Sequence, residues 1–151
     1  MKTFKTLADV AALVGQEVAT SDWTTVTQEQ VQRFADATHD HQWIHLDVER
    51  ASKGPFGAPI AHGFLTLSLL PVLMQTTFSI DEVRMGVNYG LNKVRFPAPV
   101  PVGSRLRARF VLQAAEPVDN HGWQFTWHAT IEREGGTKPV CVAETLSRLY
   151  P

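Results

Sequence analysis

The sequence predicts an α+β fold in which a curved antiparallel sheet wraps one long apolar helix. Residues 62–78 are apolar on nearly every side of a helix, whereas the second half of the chain alternates apolar and polar residues at the period of a strand. A chain of 151 residues has the length of one ordinary domain, and its core needs no disulfide for stability. We therefore expect residues 1–151 to form a single domain.

The composition and charge exclude several classes of function. The apolar fraction of 44% and the charged fraction of 19% are those of an ordinary globular protein. The net charge is −1 and the basic residues are scattered, so we expect no nucleic-acid partner. The N-terminus lacks the apolar run of a signal peptide, and the longest apolar stretch, residues 63–74, is too short to cross a membrane. The only cysteine, Cys141, suits a buried inert thiol, and we expect a cytoplasmic protein with no membrane partner.

A helix is predicted from the capping box at Thr27 to about Thr38, because apolar residues then recur at helical spacing. Residues 39–45 have no periodicity. Asp40 and His45 are therefore expected in an irregular loop between helices.

The next two helical segments are marked by their boundary residues. Asp47 is expected to cap a short turn of helix that runs through Ser52. A loop rich in glycine and proline, residues 53–59, separates this turn from the long apolar helix. Pro71 has no backbone N–H to donate, so it should bend that helix or mark its last turns.

Four strands are predicted in the second half of the chain, at residues 84–96, 105–116, 123–134 and 138–149. Turn residues separate the last three, and we expect all four strands to form an antiparallel meander. Residues 96–103 contain three prolines, which cannot donate to a ladder, so they should form an extended crossover. One apolar helix followed by such strands is the hotdog architecture.

Asp40 and His45 are the strongest candidates for chemistry. On a helix, a spacing of five residues would place them on different faces, so their cooperation requires the irregular loop. A carboxylate and an imidazole that converge on one water can act as general base and acid, which is worth about 10²–10⁴-fold in rate. The alternative is that Asp40 caps a turn and His45 is a structural hydrogen-bonding residue.

Three blocks of the sequence resemble, in the same order, the motifs of the MaoC-like, R-specific enoyl-CoA hydratases. Residues 34–47 contain Asp-His-Gln-Trp-Ile-His, which is similar to the wording of the nodulation-protein-N-type branch; residues 60–66 and 88–97 resemble the second and third blocks. The resemblance covers nearly the whole chain. It implies reversible addition of water to a trans-2-enoyl-CoA to give the (3R)-3-hydroxyacyl-CoA, with no cofactor besides the coenzyme A of the substrate. It also implies a homodimer whose sheets join edge to edge, with the site near the interface.

The resemblance implies that Asp40 and His45 are the catalytic pair and that the Gly63 backbone amide belongs to an oxyanion hole. An amide at a helix N-terminus suits the enolate-like charge of the transition state, and one such donor is worth about 3–4 kcal/mol. The alternative is that Gly63 only lets the helix start close to a neighbouring strand. Further candidates for site support are Gln42, His62 and Ser68. Candidates for contacts with coenzyme A are Asn92, Lys93 and Arg95.

The sequence departs from the family pattern in several places. Many members read Gly-Asp-x-Asn-Pro-x-His, whereas here the glycine is His39, the asparagine is Gln42 and the proline is Trp43. Some relatives also have a serine on the central helix where this chain has Pro71. We therefore assign no catalytic serine.

Histidines and arginines allow two further interpretations. The histidine-rich segment lacks the rigid spacing of zinc ligands, and we expect no metal at His39, His41, His45 and His62. Three arginines project from one strand face, where a solvated surface is favoured over contacts with coenzyme A phosphates: Arg105, Arg107 and Arg109.

Two other functions share the hotdog architecture. Hotdog acyl-CoA thioesterases commonly have an acidic residue on or near the central helix, but residues 61–79 contain neither Asp nor Glu. A non-catalytic subunit that binds acyl thioesters is suggested by Pro71 and the altered loop. The presence of both Asp40 and His45 argues against it, so the hydratase is the favoured function.

Overall fold

The computed structural model describes residues 1–151 and has the predicted hotdog fold, with short helices packed in a curved antiparallel sheet. In chain order the elements are β1 (Lys2–Phe4), α1 (Leu7–Ala11), β2 (Glu17–Thr20), β3 (Thr24–Thr25), α2 (Gln28–Thr38), α3 (Trp43–Leu46), α4 (Val48–Ser52), α5 (Gly63–Ser68), α6 (Leu70–Gln75), β4 (Phe78–Ile80), β5 (Met85–Arg95), β6 (Arg105–Pro117), β7 (Trp123–Arg133) and β8 (Cys141–Tyr150). No helix is both long enough and apolar enough to cross a membrane.

The main sheet has the strand order β2-β6-β7-β8-β5, with β3 also paired to β6. The meander is confirmed for β6, β7 and β8, which are antiparallel neighbours. It is wrong for β5, which pairs with β8 rather than with β6. The proline-rich crossover explains the difference. It passes beside Ile60, where Pro101 forms an isolated bridge, and carries the chain from β5 at one edge of the sheet to β6 near the opposite edge.

The central apolar segment is two short helices rather than the one continuous helix expected. Helix α5 ends at Ser68, Leu69 lies at the junction, and Pro71 occupies the first turn of α6. Proline is tolerated there because the first helical amides have no partner within the helix, whereas farther along it would remove a hydrogen bond. The interruption expected near Pro71 is therefore confined to Leu69, whose backbone remains in the helical region with φ of −78° and ψ of −15°.

The core lies between these helices and the inner face of the sheet. Alternate residues of β6 and β7 are buried, as the predicted period requires. They form one cluster with the buried residues of α5, α6 and the junction between them, which include Leu65, Leu69, Leu70 and Leu73. Cys141 belongs to the same cluster, and burial raises the pKa of its thiol to about 11, as expected for an inert thiol.

The outer face of β6 carries the three arginines, and each is paired with a glutamate. Arg105 lies 2.9 Å from Glu134, and Arg109 lies 2.9 Å from Glu17. Arg107 pairs with Glu132. These pairs favour a solvated strand face over a site for phosphate groups.

Strand β5 is unlike the other long strands because it is exposed over most of its length. It pairs with β8 on one side only and forms an edge of the sheet. Its exposed apolar side chains are Met85, Val87, Tyr89 and Leu91.

Candidate active site

Asp40 follows the C-terminus of α2. The predicted capping box is confirmed only in its N-cap half: the Thr27 hydroxyl accepts a hydrogen bond from the Gln30 amide at 3.1 Å, but the Gln30 side chain does not bond back to the Thr27 amide. At the other end, His39 has a left-handed backbone with φ of 62°, which turns the chain sharply out of the helix. Asp40 is exposed and lies in coil, as predicted.

His45 does not lie in an irregular loop, because residues 43–46 form the single helical turn α3. The turn is too short to give a periodic signal in the sequence. It is held on two sides by other parts of the chain. The Gln28 side chain donates to the His45 carbonyl at 2.9 Å, and the Ile60 amide donates to the Ile44 carbonyl at 3.0 Å. The predicted cap at Asp47, which follows directly, is confirmed by its bond to the Arg50 amide at 3.0 Å.

The structure brings Asp40, His45 and His62 together. A carboxylate oxygen of Asp40 and a ring nitrogen of each histidine all lie within 4.8 Å of one another. The two imidazoles are stacked, with ring centroids 3.8 Å apart and an interplanar angle of 25°. Both histidines are buried, whereas the aspartate is exposed, so the cluster has one side open to solvent.

The hydrogen bond at Nδ1 determines which nitrogen of His45 is free. Nδ1 lies 2.6 Å from the Ile60 carbonyl oxygen, which can only accept, so Nδ1 carries the proton and Nε2 has a lone pair. Burial lowers the pKa of His45, and the hydrogen bond to Ile60 opposes this effect. The nearby His62 lowers the pKa further, whereas Asp40 raises it. The imidazole is therefore arranged to be a neutral base at Nε2.

Gly63 is the first residue of α5 and directly follows His62, so its amide lies next to the cluster. This amide donates no hydrogen bond within the chain, as is usual in the first turn of a helix. A β-carbon at this position would lie 3.1 Å from the Phe96 ring, closer than ordinary contact. A glycine therefore permits the close approach of Phe96, the residue that follows β5.

Gln42 and Ser68 occupy different surroundings from the pair. Gln42 is exposed, and it contacts Asp40 only through its main-chain amide, 3.5 Å from Oδ1. The Ser68 hydroxyl donates to the Phe64 carbonyl of its own helix at 2.7 Å. Of the three support candidates, only His62 has its side chain in the cluster.

The three candidates for coenzyme A contacts lie on the exposed end of β5, next to Phe96. The Asn92 side chain donates to the Glu144 carboxylate at 2.5 Å. Arg95 donates to the neighbouring Val94 carbonyl at 2.7 Å. Neither Lys93 nor Arg95 forms a salt bridge, so both cations are available to an anion.

A cavity of about 380 Å³ lies between the helices and the sheet. Neither Asp40 nor His45 lines it. The first residue along the chain that lines it is Leu67, about one helical turn after Gly63. The buried rings of Phe110 and Trp127 also line it. Helix α5 therefore leads from the cluster to the cavity.

A family model described as a MaoC like domain matches residues 9–130. This chain belongs to the MaoC-like dehydratase family. It is 57% identical over 148 residues, 98% of each chain, to 3-hydroxyacyl-thioester dehydratase Z of Mycobacterium tuberculosis. It is 47% identical to nodulation protein N of Rhizobium leguminosarum bv. viciae, over 93% of this chain and 89% of that one. The structure of the (R)-hydratase of A. caviae involved in PHA biosynthesis is similar, with a TM-score of 0.71, 25% identity and coverage of 91% of this chain and 96% of that one.

The MaoC-like assignment confirms the resemblance and makes the chain a hydratase or dehydratase. Trp43, the residue at the proline position of the family motif, packs against Arg50 and Gly54. Its indole packs within 3.2 Å of the β-carbon position at Gly54, and the Arg50 guanidinium lies 4.2 Å from the ring centroid. Trp43 therefore packs against α4 and the loop that follows it.

The cluster of this MaoC-like site is a poor set of metal ligands. One nitrogen of each histidine is bonded to a carbonyl, which leaves His45 Nε2 and His62 Nδ1. Since the rings are stacked nearly parallel, these two lone pairs do not converge on a point about 2.1 Å from both nitrogens, the distance that zinc requires. The geometry therefore favours proton transfer over metal binding.

Sequence reasoning missed three contacts of the site. They are the Ile60 carbonyl that orients His45, the Gln28 amide that holds α3, and the Phe96 ring on Gly63. A main-chain carbonyl has no residue-specific signal. Only Phe96 had a local clue, because it begins the proline-rich crossover within the third family block.

Proposed function

We propose that this MaoC-like protein is an (R)-specific enoyl-CoA hydratase that converts trans-2-enoyl-CoA reversibly into (3R)-3-hydroxyacyl-CoA. The observation that carries the proposal is the convergence of the Asp40 carboxylate and the His45 ring beside the Gly63 amide. A base, a second proton-transfer group and a donor for a developing negative charge are the three groups that hydration of a conjugated thioester needs.

Asp40 and His45 position one water between them. As the water oxygen bonds to the β-carbon, one of its protons passes to the pair, and the pair returns a proton to the α-carbon. In the reverse direction the same groups remove the α-proton and protonate the departing hydroxyl. Because the two groups interact, the proton transfers belong to the pair rather than to one residue.

Negative charge develops on the thioester carbonyl oxygen when water attacks the β-carbon. The Gly63 amide has no acceptor within the chain and lies next to the cluster, so it is the donor that we assign to this oxygen. A single preorganised donor of this kind is worth about 3–4 kcal/mol in the transition state.

The remainder of the substrate is assigned to features on either side of Gly63. The apolar cavity that begins at Leu67 takes the acyl chain. Lys93 and Arg95, which are free of carboxylate partners, are candidates for the phosphates of coenzyme A, and Asn92 lies beside them. No cofactor other than the coenzyme A of the substrate is needed for this chemistry.

We further propose that the protein is a homodimer that forms through β5. A strand at a sheet edge with apolar side chains exposed from Met85 to Leu91 is a surface that proteins ordinarily cover. Edge-to-edge pairing of two β5 strands would cover it in both copies.

The decisive test measures loss of the conjugated absorbance of crotonyl-CoA with the wild type, Asp40→Asn and His45→Gln. Each substitution should lower kcat by about 10²–10⁴-fold, because each removes a proton-transfer group. Asp36 and His41 provide a matched control: they have the same spacing of five residues, lie 3.1 Å apart, and are exposed outside the cluster. Asp36→Asn and His41→Gln should retain wild-type activity.

Three results would contradict the proposal. They are full activity of both site variants, equal losses in the control variants, or steady release of free thiol from a saturated acyl-CoA, which would indicate a thioesterase. Enantiomer-specific dehydrogenases applied to the product test the (R) configuration.

A further inference from the structure

His62 follows Ile60 by two residues and directly precedes Gly63, and only 2% of its surface is exposed. It occupies the N-cap position of α5, yet its side chain makes no capping hydrogen bond. The ring instead contacts residues that are distant in sequence. Its polar atoms therefore serve a purpose other than helix capping.

The first of these contacts holds the Asp40 main chain. His62 Nε2 lies 3.0 Å from the Asp40 carbonyl oxygen, and the proton must reside on Nε2 because a carbonyl only accepts. The other hydrogen bonds at Asp40 are long, at 3.4 Å to the Thr38 hydroxyl and 3.5 Å from the Gln42 amide. The bond from His62 is thus the shortest one that restrains Asp40.

The second contact is with the His45 ring. The hydrogen bond to Ile60 restrains the His45 ring only at Nδ1. The ring could still tilt about this bond unless another group packs against its face. His62 stacks on the face at 3.8 Å, and Phe34 lies 4.8 Å from the His62 ring. His62 therefore fixes the plane in which the Nε2 lone pair of His45 points.

The remaining nitrogen of His62 takes no part in hydrogen bonding. Nδ1 is buried and has no partner. Nε2 is bonded to a carbonyl and Nδ1 is buried, whereas His45 has a free lone pair on Nε2. We therefore assign proton transfer to His45 and a different role to His62.

We propose that His62 is a positioning residue, which aligns Asp40 through the Nε2–H bond and His45 through stacking so that both act on the same water. The inference rests on the proposed hydratase function. Displacement of a catalytic group by about 1 Å can cost about 10²-fold in rate. Because one residue restrains both groups, its loss should lower kcat.

The test compares His62→Asn with His62→Gln, which both remove the ring. The amide nitrogen of glutamine reaches about as far as Nε2 of histidine, whereas that of asparagine is one methylene shorter. We expect kcat for crotonyl-CoA to fall about 100-fold in His62→Asn and to be at least about tenfold higher in His62→Gln, with KM within about twofold of wild type. His62→Phe keeps a ring for stacking and should lose kcat through the missing donor alone.

The pH profile separates positioning from a general loss of folding. Asp40 and His62 are the titratable groups whose charges act on His45. In His62→Gln, water gains access to the His45 face, so the acid limb of kcat/KM should move to higher pH. In His62→Phe the face of the His45 ring stays covered, so the acid limb of kcat/KM should shift less than in His62→Gln.

Equal kcat in the asparagine and glutamine variants, or an unchanged kcat with a raised KM, would overturn the inference. An inactive wild type would instead contradict the proposed function. A measurement on the wild type is independent of how the variants fold: long-range ¹H–¹⁵N spectra of the histidines should show the Nε2–H form for His62 and the Nδ1–H form for His45. The opposite tautomer of His62 would refute the role.

Discussion

The carbonyl oxygens of Ile60 and Asp40 each accept a hydrogen bond from one histidine of the site. Because a carbonyl cannot donate, these two contacts determine the tautomers of both rings. His45 is left with a lone pair on Nε2, and the lone pair of His62 is buried on Nδ1. Two histidines whose rings are in contact thus present different nitrogens and are suited to different roles.

The pH dependence of the reaction should reflect the burial of His45. Burial lowers its pKa below the ordinary value of 6.5, so the neutral base persists at pH values at which a solvated imidazole is protonated. We predict that kcat/KM for crotonyl-CoA holds its plateau below pH 6.5 and falls only as His45 becomes protonated. Rates from about pH 5 to pH 9 test this. An acid limb above pH 6.5 would contradict it, and His41→Gln should leave the limb unchanged.

The same shift predicts a contribution of His45 to stability. Since its folded-state pKa is lowered, the unfolded chain takes up this proton first as the pH falls. The free energy of unfolding should therefore decrease from about pH 6.5 downward through the folded-state pKa. Urea unfolding of the wild type and His45→Gln checks this prediction: the difference in stability between them should change with pH in that window. A constant difference would be the contrary result.

At the level of secondary structure, the ends of α2 and α5 position the candidate catalytic groups. Helix α2 ends in a left-handed residue, which directs Asp40 toward the start of α5. The break at Leu69 then leaves α5 only six residues long, and α6 continues along the cavity. The candidate catalytic groups therefore lie near the start of α5, and the apolar cavity lies along the end of α5 and along α6.

The cap of α2 offers a stabilising substitution. His39 has φ of 62°, a conformation in which a β-carbon costs about 1–2 kcal/mol, and its side chain forms no hydrogen bond. His39→Gly should raise the free energy of unfolding by about 0.5–1 kcal/mol after the entropy of the unfolded glycine is included. Lys53→Gly is the matched control, because Lys53 ends α4 with φ of −96°. Equal destabilisation of both variants in urea would contradict the expectation.

At the level of the whole molecule, the apolar surface of β5 is the feature that the isolated chain leaves uncovered. Val87 is 42% exposed and Tyr89 is 55% exposed, although both lie in a strand of the main sheet. The same strand ends beside Phe96 and hence beside Gly63. Association through β5 would therefore place the candidate site close to the second copy.

The proposed dimer can be tested by placing a charge on this strand. Val87→Lys should shift the protein from dimer to monomer, because the desolvation of a lysine opposes burial of the strand. Val14→Lys is a suitable control, since Val14 is 46% exposed but lies outside β5. Sedimentation equilibrium measures both. A monomeric wild type, or a dimer that persists in Val87→Lys, would refute the arrangement.

Patterns that are local in the chain predicted the corresponding structure well. The cap at Thr27, the cap at Asp47 and the alternation in β6 and β7 are all present, because each depends on residues within one turn or one strand. The break at Pro71 was only partly predictable. Proline opposes a continuous helix, but whether the chain bends or starts a new helix depends on the packing around it.

The short elements were not predictable for the opposite reason. β1 and β4 are three residues each, which is too short for a periodic signal in the sequence. They pair with each other although most of the N-terminal half of the chain separates them. α3 is a single turn that is held from outside by Gln28 and Ile60. Such elements exist because of their partners rather than because of their own sequence.

The sequence by itself predicted the candidate groups of the site and determined the family, because Asp40, His45 and Gly63 stand in a recognisable order within the family motifs. Only the tertiary structure decided which of them meet and in what chemical state. The contacts of His45 with Ile60 and of His62 with Asp40 join residues 15 and 22 positions apart, and both use main-chain carbonyls that every residue type has. The pairing of β5 with β8 likewise depends on the path of the crossover, since strand patterns specify faces but not neighbours.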